Sequence, residues 1–544
     1  MVFLSRPGHQ PPAFPASCRG PGAGVTRCRR LGVVVSFALW TGASTLPAAA
    51  DVLEDIGYRR LIAEAPGLSD GAGVAVMLIE AFQNDQPDAY FPDTTRSDLA
   101  HVEFSDGTGD YFTDNLTKEV IGEPSSHATS QAVVIASTNG QSMTPGVSSM
   151  TCFAADHWIN RRLINGGRPN VNPARGGAPL ANHSWVGTFA SDADTLNVLR
   201  RIDWLIDVDD QLHVMASRNA TDEVGSHAFN TLHVRETGRT SAIASRAFDD
   251  VYVAGRALVD LTVPEPNPSR ATSRATSAAV LLRATASGGT MQPETLRAIL
   301  MAGAERQVEN SNGSAIEDYR GNLEHRSANG LDFRFGAGQL NVFNAHRIVS
   351  GGAAIAEEDG GGAIPSAGFA YDADFGGVGG SNRIATYRFQ TDAVPAQFAA
   401  TLAWNLFVAD AAGRFDPAPV LVDLSLSLWV LDGEDETLVA ASDSPVDNTE
   451  TLWTELAPNR DYLLKVRTNV PTDFARPYAL AWRIGPPEVL NARVPAVPGC
   501  AVAATVIVCG GIGAGTLRRR GTAAHERTDA RRRRPTRGNC TRGR

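Results

Sequence analysis

Apolar residues fall into two regimes along the chain. Between residues 71 and 352, short unbroken apolar runs such as GVAVMLIEA (73–81) and QLHVMASRN (211–219) alternate with stretches of helical spacing. Unbroken runs bounded by turn residues read as strands covered on both faces. SQAVVIAS (130–137) and TSAAVLLRATA (276–286) read as helices of small residues that pack closely on a sheet. Strand and helix in alternation predict βαβ units and a parallel sheet flanked by helices. After GQLNVFNAHRIVSGG the pattern changes. EEDGGGAIPSAG predicts a linker over 356–368. Beyond it, TLAWNLFVAD, VLVDLSLSLWVLDG, TLVAASDSPVDN and DYLLKVRTNV are short β-type runs separated by turn residues. Apolar and polar residues alternate from Val422 to Val430, as a half-buried strand requires. An all-β sandwich is predicted over 369–486.

Charge divides the chain again. The net charge is -10, but residues 1–50 carry +5 and residues 518–544 carry +9, which leaves -24 on the body between them. A body that acidic argues against a nucleic-acid partner, because phosphate binding rests on Lys and Arg contacts. Arg29 and Arg30, the apolar run that follows, and Ala48-Ala49-Ala50 have the order of a secretory signal peptide, here behind an N-terminal extension, so residues 1–50 are expected to be removed on export. Of the six cysteines only Cys152 lies in the body, so no disulfide framework staples it and a large core must supply stability. Residues 487–517 combine a Pro-rich stem with an uncharged run of nineteen residues, Gly499 to Leu517, ahead of Arg518-Arg519-Arg520. The segment is expected to sort or anchor the protein at a membrane or cell surface, with 518–544 as an Arg-rich tail. It resembles the sorting tails of the PEP-CTERM type, although the Pro-Glu-Pro triplet is replaced by VPAVPG.

Serine acyl transfer needs a base beside the hydroxyl, an acid that orients the base, and donors for the oxyanion. Candidates for all of them stand at the ends of elements, in the order Glu80, His127, Asn219, Ser273. SSHATSQAVVIAS sets His127 at the start of a helix, and ATSRAT carries Ser273. These segments, with SMTPGV, NHSWVG, HVMASRN, QPETLRAILMAGA and NGLDFRFGAGQLNVFNA, follow one another as in the subtilisin-like serine proteases, which residues 65–352 resemble. The resemblance implies an α/β fold with a subtilisin-like parallel sheet. It makes His127 the general base, Ser273 the nucleophile at a helix N-terminus and Asn219 the oxyanion donor, and it gives Ser184 and Trp185 to the substrate-lining strand. Ser269 and Ser277 then read as turn and helix-packing residues. Departures are visible: Glu80 stands for aspartate, Ala271 for glycine, and Ser277 for proline. Asp106 and Asp110 are the alternative orienting acids. The region from 369 resembles prepeptidase C-terminal and jelly-roll domains through TLAW, DLSLSLW and SDSPVDN, which implies a jelly-roll-like sandwich, and Asp423, Asp432, Asp443 and Asp447 are candidate ligands for structural calcium in its loops. No cofactor is required. The expectation is an exported endopeptidase acting on protein or peptide; the alternative is an inactive cell-surface binding protein that keeps the fold.

Overall fold

The computed structural model describes residues 51–83, 88–108, 122–164, 170–187, 191–217, 227–238, 255–286, 291–306, 326–355, 361–376, 382–415, 417–469 and 475–486. The leader, the stem, the apolar segment and the Arg-rich tail lie outside these residues, as do Asp110 and Asn219.

Among the described residues seven parallel strands form the first layer: β1 (Val76–Glu80), β2 (Glu103–Asp106), β3 (Ser149–Ala154), β4 (Leu180–His183), β5 (Leu212–Ala216), β6 (Leu232–Glu236) and β7 (Leu261–Val263). Their order across the sheet is β2-β3-β1-β4-β5-β6-β7. Every residue of β1 is buried. Its alternate side chains enter two separate cores: Val76 and Leu78 face one, Met77 and Ile79 the other. An unbroken apolar run is what such a strand demands. The chain leaves β1 towards β2 and β3 on one side and later resumes at β4 on the other. Strand order therefore reverses beside β1, and a crevice opens at the carboxyl ends there. Glu80 is the last residue of that strand.

The first face carries α1 (Ser126–Ala136) and α3 (Pro268–Thr285), and the second carries α2 (Asp192–Asp209). In α3 the side chain of Asn267 accepts from the Arg270 N–H, and Pro268 occupies the first helical position. Pro fits there because that N–H has no intrahelical partner and its φ is already helical. Small residues on both helices, among them Ala128, Ala132, Ala271 and Ala275, are fully buried where the helices approach one another.

Two further described helices, α4 (Pro293–Gly303) and α5 (Val342–Gly351), lead to a sandwich with nine strands among the described residues: β8 (Gly362–Ala363), β9 (Ala367–Asp372), β10 (Ile384–Gln390), β11 (Ala396–Trp404), β12 (Leu424–Asp432), β13 (Asp435–Asp443), β14 (Thr449–Leu456), β15 (Asp461–Thr468) and β16 (Tyr478–Gly485). One sheet runs β8-β10-β15-β12-β13 and the other β9-β16-β11-β14. The alternation read from Val422 to Val430 belongs to β12, whose Leu424, Leu426 and Leu428 face the sandwich core. The sandwich begins earlier than the composition suggested, since β8 and the start of β9 lie within the expected linker. Ala367 already pairs with Arg483.

Nor does the sandwich hang free of the parallel-sheet layer. Ala403, Ala479 and Ala481 lie in the same core as α3 and α4, while Leu406, Val408 and Phe415 join the α2 core. Polar seams are closed by buried donors. Arg297 of α4 donates to the carbonyls of Phe229 (2.9 Å), Trp404 (2.6 Å) and Asn448 (3.3 Å). Arg483 of β16 donates to those of Ala302 (2.9 Å) and Ala304 (3.0 Å) at the end of α4. Gly330 has φ +74°, and a Cβ there would stand 2.1 Å from the Thr451 carbonyl. Arg297→Met should leave three buried carbonyls without that donor and lower stability by ~2–3 kcal/mol or more, in one cooperative denaturant transition. A variant as stable as wild type, or one with two separate transitions, would contradict this account of the seam.

Burial pushes Glu294 of α4 up to about 7, against the pull of its own backbone hydrogen bond and of Arg297. Asn405 donates to its Oε1 at 2.6 Å, and its Oε2 has no partner. The folded chain thus holds a proton there that the unfolded chain releases nearer the ordinary carboxylate value, so this contribution is present in acid and is lost as pH rises through about 7. Glu294→Gln, which copies the protonated form, should raise Tm relative to wild type at pH 8 and change it little at pH 5. Equal Tm differences at both pH values would exclude this linkage.

Candidate active site

At the crevice the described residues bring together one carboxylate, one imidazole and the start of α3. Glu80 is completely buried, and its Oε2 lies 2.6 Å from His127 Nδ1. His127 is the second residue of α1, and its side chain is 39% exposed, so the far edge of the ring is open to the crevice. Ser125 caps α1 by accepting from the Ala128 N–H. Burial raises the Glu80 pKa and outweighs the hydrogen bond and charge of His127. Burial works against the imidazolium too, but the Glu80 hydrogen bond and charge prevail, and the His127 pKa is raised. Both directions favour keeping a proton at the contact between Glu80 Oε2 and His127 Nδ1.

Asp106 is occupied elsewhere. It accepts from the Tyr90 hydroxyl (2.7 Å) and from the N–H groups of Gly122 (3.0 Å) and Thr108 (2.8 Å). Among the described acids it is Glu80 that holds the imidazole.

Ser273 is not where the resemblance led. It is the sixth residue of α3, more than a turn inside the helix, and it is fully buried. Its hydroxyl donates to Gln131 Oε1 (2.8 Å) and to the Ser269 carbonyl (3.2 Å). Gln131 stands one turn after His127 on α1. One turn further along, Thr144 Oγ1 bridges the Ile135 carbonyl (2.7 Å) and Ser277 Oγ (2.8 Å). The pairs 131 with 273 and 135 with 277 advance by four residues on both helices, so α1 and α3 run parallel. Extended one turn back, the same four-residue step leads from His127 on α1 to Ser269 on α3.

Ser269 is the second residue of α3 and is partly exposed. It interlocks with Ser184: the Ser269 hydroxyl donates to the Ser184 carbonyl (3.3 Å), and the Ser184 hydroxyl donates to the Ser269 carbonyl (3.2 Å). Ser184 follows β4, whose His183 pairs with Ile79, so it is the neighbour of Glu80 across the strand pair. Its hydroxyl is near enough to draw the Glu80 pKa down against burial, but it is committed to Ser269, which leaves Glu80 Oε1 without a full hydrogen bond. The next residue, Arg270, reaches Ser130 Oγ (3.0 Å) and Glu265 (3.0 Å).

Trp185 departs from the substrate-lining expectation as well. Its indole is buried in the α2 core, and its N–H donates to His183 Nδ1 (3.2 Å). His183 in turn meets His213 (3.0 Å), which meets Gln211 (3.2 Å). Burial holds both histidines below the ordinary imidazole range, so this chain is neutral and structural. The four sandwich aspartates do not converge: Asp423 and Asp443 share Asn469, Asp432 faces Arg460, and Asp447 accepts from Ser444 and the Ala257 N–H. Among the described residues no group of three or more His, Cys, Asp or Glu is arranged for a metal ion, and no helix is long and apolar enough to cross a membrane.

No family model matches the chain, and no curated protein matches it. Among solved structures it is similar to a protease from Pseudoalteromonas arctica, at 14% identity and a TM-score of 0.34, over 52% of this chain and 92% of that one. MycP1 from Mycobacterium smegmatis is similar at 14% identity and a TM-score of 0.33, over 54% and 83%. The pre-peptidase C-terminal domain of a collagenase from Bacillus anthracis is similar at 11% and 0.17, over 23% and 98%. None of these likenesses bears on the role of a residue; the chemistry rests on the side chains of this chain.

Glu80→Gln removes the charge that outweighs burial, so the His127 pKa should fall from above to below the ordinary imidazole value. Histidine NMR titration of the two proteins measures this directly. An unchanged titration would mean that Glu80 does not act on the ring.

Proposed function

We propose that the chain is an exported serine endopeptidase with Ser269 as nucleophile, His127 as general base and Glu80 as the acid that orients it. The observation that carries this reading is the hydrogen bond between buried Glu80 and His127 at the head of a helix that runs in register beside α3. Neutral His127 keeps its proton on Nδ1, towards Glu80, which leaves Nε2 to receive the Ser269 hydroxyl once that hydroxyl turns from the Ser184 carbonyl. Nε2 takes the hydroxyl proton as Ser269 Oγ attacks a peptide carbonyl, and later returns it to the leaving amine. Glu80 stabilises the imidazolium in between. The Ser269 N–H precedes the first backbone bond of α3, from Ala271 to Asn267, and is free to face the oxyanion at the positive end of the helix. Asn219 supplies the second donor in this reading. No cofactor enters the chemistry, and calcium, if the sandwich binds it, is structural. The acidic body favours a protein or peptide substrate over nucleic acid, and the two ends of the chain support export and attachment to a membrane or cell surface.

Both Ser269-Arg-Ala-Thr and Ser273-Arg-Ala-Thr have the motif's sequence, so a fluorophosphonate probe separates them. Wild type and Ser273→Ala should be labelled and Ser269→Ala should not. Labelling that survives Ser269→Ala but not Ser273→Ala would reverse the assignment, and an unlabelled wild type would favour the binding-protein alternative. In the active enzyme kcat should rise with pH as His127 loses its proton, with the limb displaced above the ordinary imidazole value. Glu80→Gln should lower kcat by ~10^4.

A further inference from the structure

Three residues beyond Glu80, the side chain of Gln83 reaches the first turn of α1. Its Oε1 accepts from the Ser126 N–H (2.7 Å), the Ser125 hydroxyl (2.9 Å) and, at 3.4 Å, the His127 N–H. Its Nε2 donates to Ser126 Oγ at 2.7 Å. The Gln83 backbone is itself fixed by its N–H to the Ala89 carbonyl (3.0 Å), while Ser125 is tied to the Phe91 carbonyl (2.7 Å) in the same short strand, Ala89–Phe91. One loop thus grips the helix that bears His127 by its exposed backbone donors, while the strand feeding that loop grips the ring. With the Ala128 N–H capped by Ser125, the first three donors of α1 are all met by side chains.

We propose that Gln83 is a positioning residue of the peptidase site: it fixes the distance between α1 and the end of β1 at which the glutamate carboxylate, rather than a shorter aspartate, meets His127 Nδ1. The proposal rests on the serine peptidase reading for its effect on turnover, but the geometry it asserts is independent of turnover. A glutamate reaches about one C–C bond, ~1.5 Å, further than an aspartate. The helix must then stand further from the strand by a comparable amount, and Gln83 spans that gap with a long side chain. A glutamine also caps without adding charge. Glu80 bears on the imidazole directly, whereas Arg270 on α3 is held by Glu265 and Ser130, Glu123 before α1 is exposed, Asp93 is turned to Thr95, and His157 lies across Phe82 at 5.8 Å.

The test uses the full-length chain with Gln83→Leu, which keeps the bulk and removes the acceptor, and Gln83→Glu, which keeps the acceptor. Gln83→Leu should lower kcat by up to ~10^2 with KM nearly unchanged, because the ring is misplaced rather than the substrate site. Histidine NMR should show its His127 pKa moving back towards the ordinary imidazole value as the Glu80 contact loosens. Gln83→Glu should retain most of the wild-type kcat at the pH plateau. A folded Gln83→Leu protein with wild-type kcat and His127 titration would overturn the proposal, as would equal loss in both variants. If the wild-type chain takes no fluorophosphonate label, the peptidase reading fails while the titration still decides the role of Gln83.

Discussion

A carboxylate with no exposed surface at the end of a central strand is the constraint around which this molecule is arranged. Glu80 ionised and alone in that position would be too costly to keep, since burial of an unpaired charge far exceeds any gain from packing. It is retained because an imidazole meets it at 2.6 Å and shares its proton. That partner arrives on a separate helix, which is held in turn by Ser125 and Gln83 at its first turn and by small residues against α3 along its length. The strand reversal beside β1 supplies the crevice, the parallel run of α1 and α3 supplies the register, and the partly exposed serine at the head of α3 stands at the end of that register. Each element is ordinary in itself. Their joint placement is fixed by one buried pair.

Much of this was legible in the chain. Continuous apolar runs marked β1 and β5 because both faces of a parallel sheet are covered, and strict alternation marked β12 because one face of that strand lies inside the sandwich. Glu80 and His127 could be singled out because both stand at the ends of strongly patterned elements. The serine that faces them could not be singled out the same way. Arg270-Ala-Thr-Ser and Arg274-Ala-Thr-Ser repeat after four residues, close to one helical turn, so a slip of one turn keeps the same residues on the same face. What breaks the degeneracy is the helix start: Asn267 as cap and Pro268 at the first position put Ser269, and not Ser273, where backbone donors are still unpaired. That signal was present in Asn-Pro-Ser but is weaker to the eye than a motif.

Other features left no local trace. Trp185 follows a strand whose side chains alternate between faces, and its burial with His183 and His213 depends on β5 lying alongside. The union of the two layers likewise depends on single long-range partners such as Arg297 with Trp404 and Asn448, which no window of sequence contains. Gly-rich composition over 356–368 suggested a linker, yet Gly368 lies in β9 with Trp482 of the neighbouring strand where its Cβ would be, at 2.8 Å. In that setting glycine serves close packing rather than freedom.

The proton balance at His127 closes the argument from structure to chemistry. Its place in the first turn of α1 sets the ring near the positive end of a helix, which, like burial, disfavours the imidazolium. Glu80 opposes both and prevails. A base for acyl transfer needs this opposition: without the carboxylate the ring would protonate too weakly to take a hydroxyl proton, and with a second carboxylate at the cap it would free its lone pair only at higher pH. Gln83 satisfies the helix donors with a neutral amide, so the cap holds the ring in place while its charge state is left to Glu80. Position and proton affinity are thus set by different residues of the same loop and strand, and either can be altered while the other is kept.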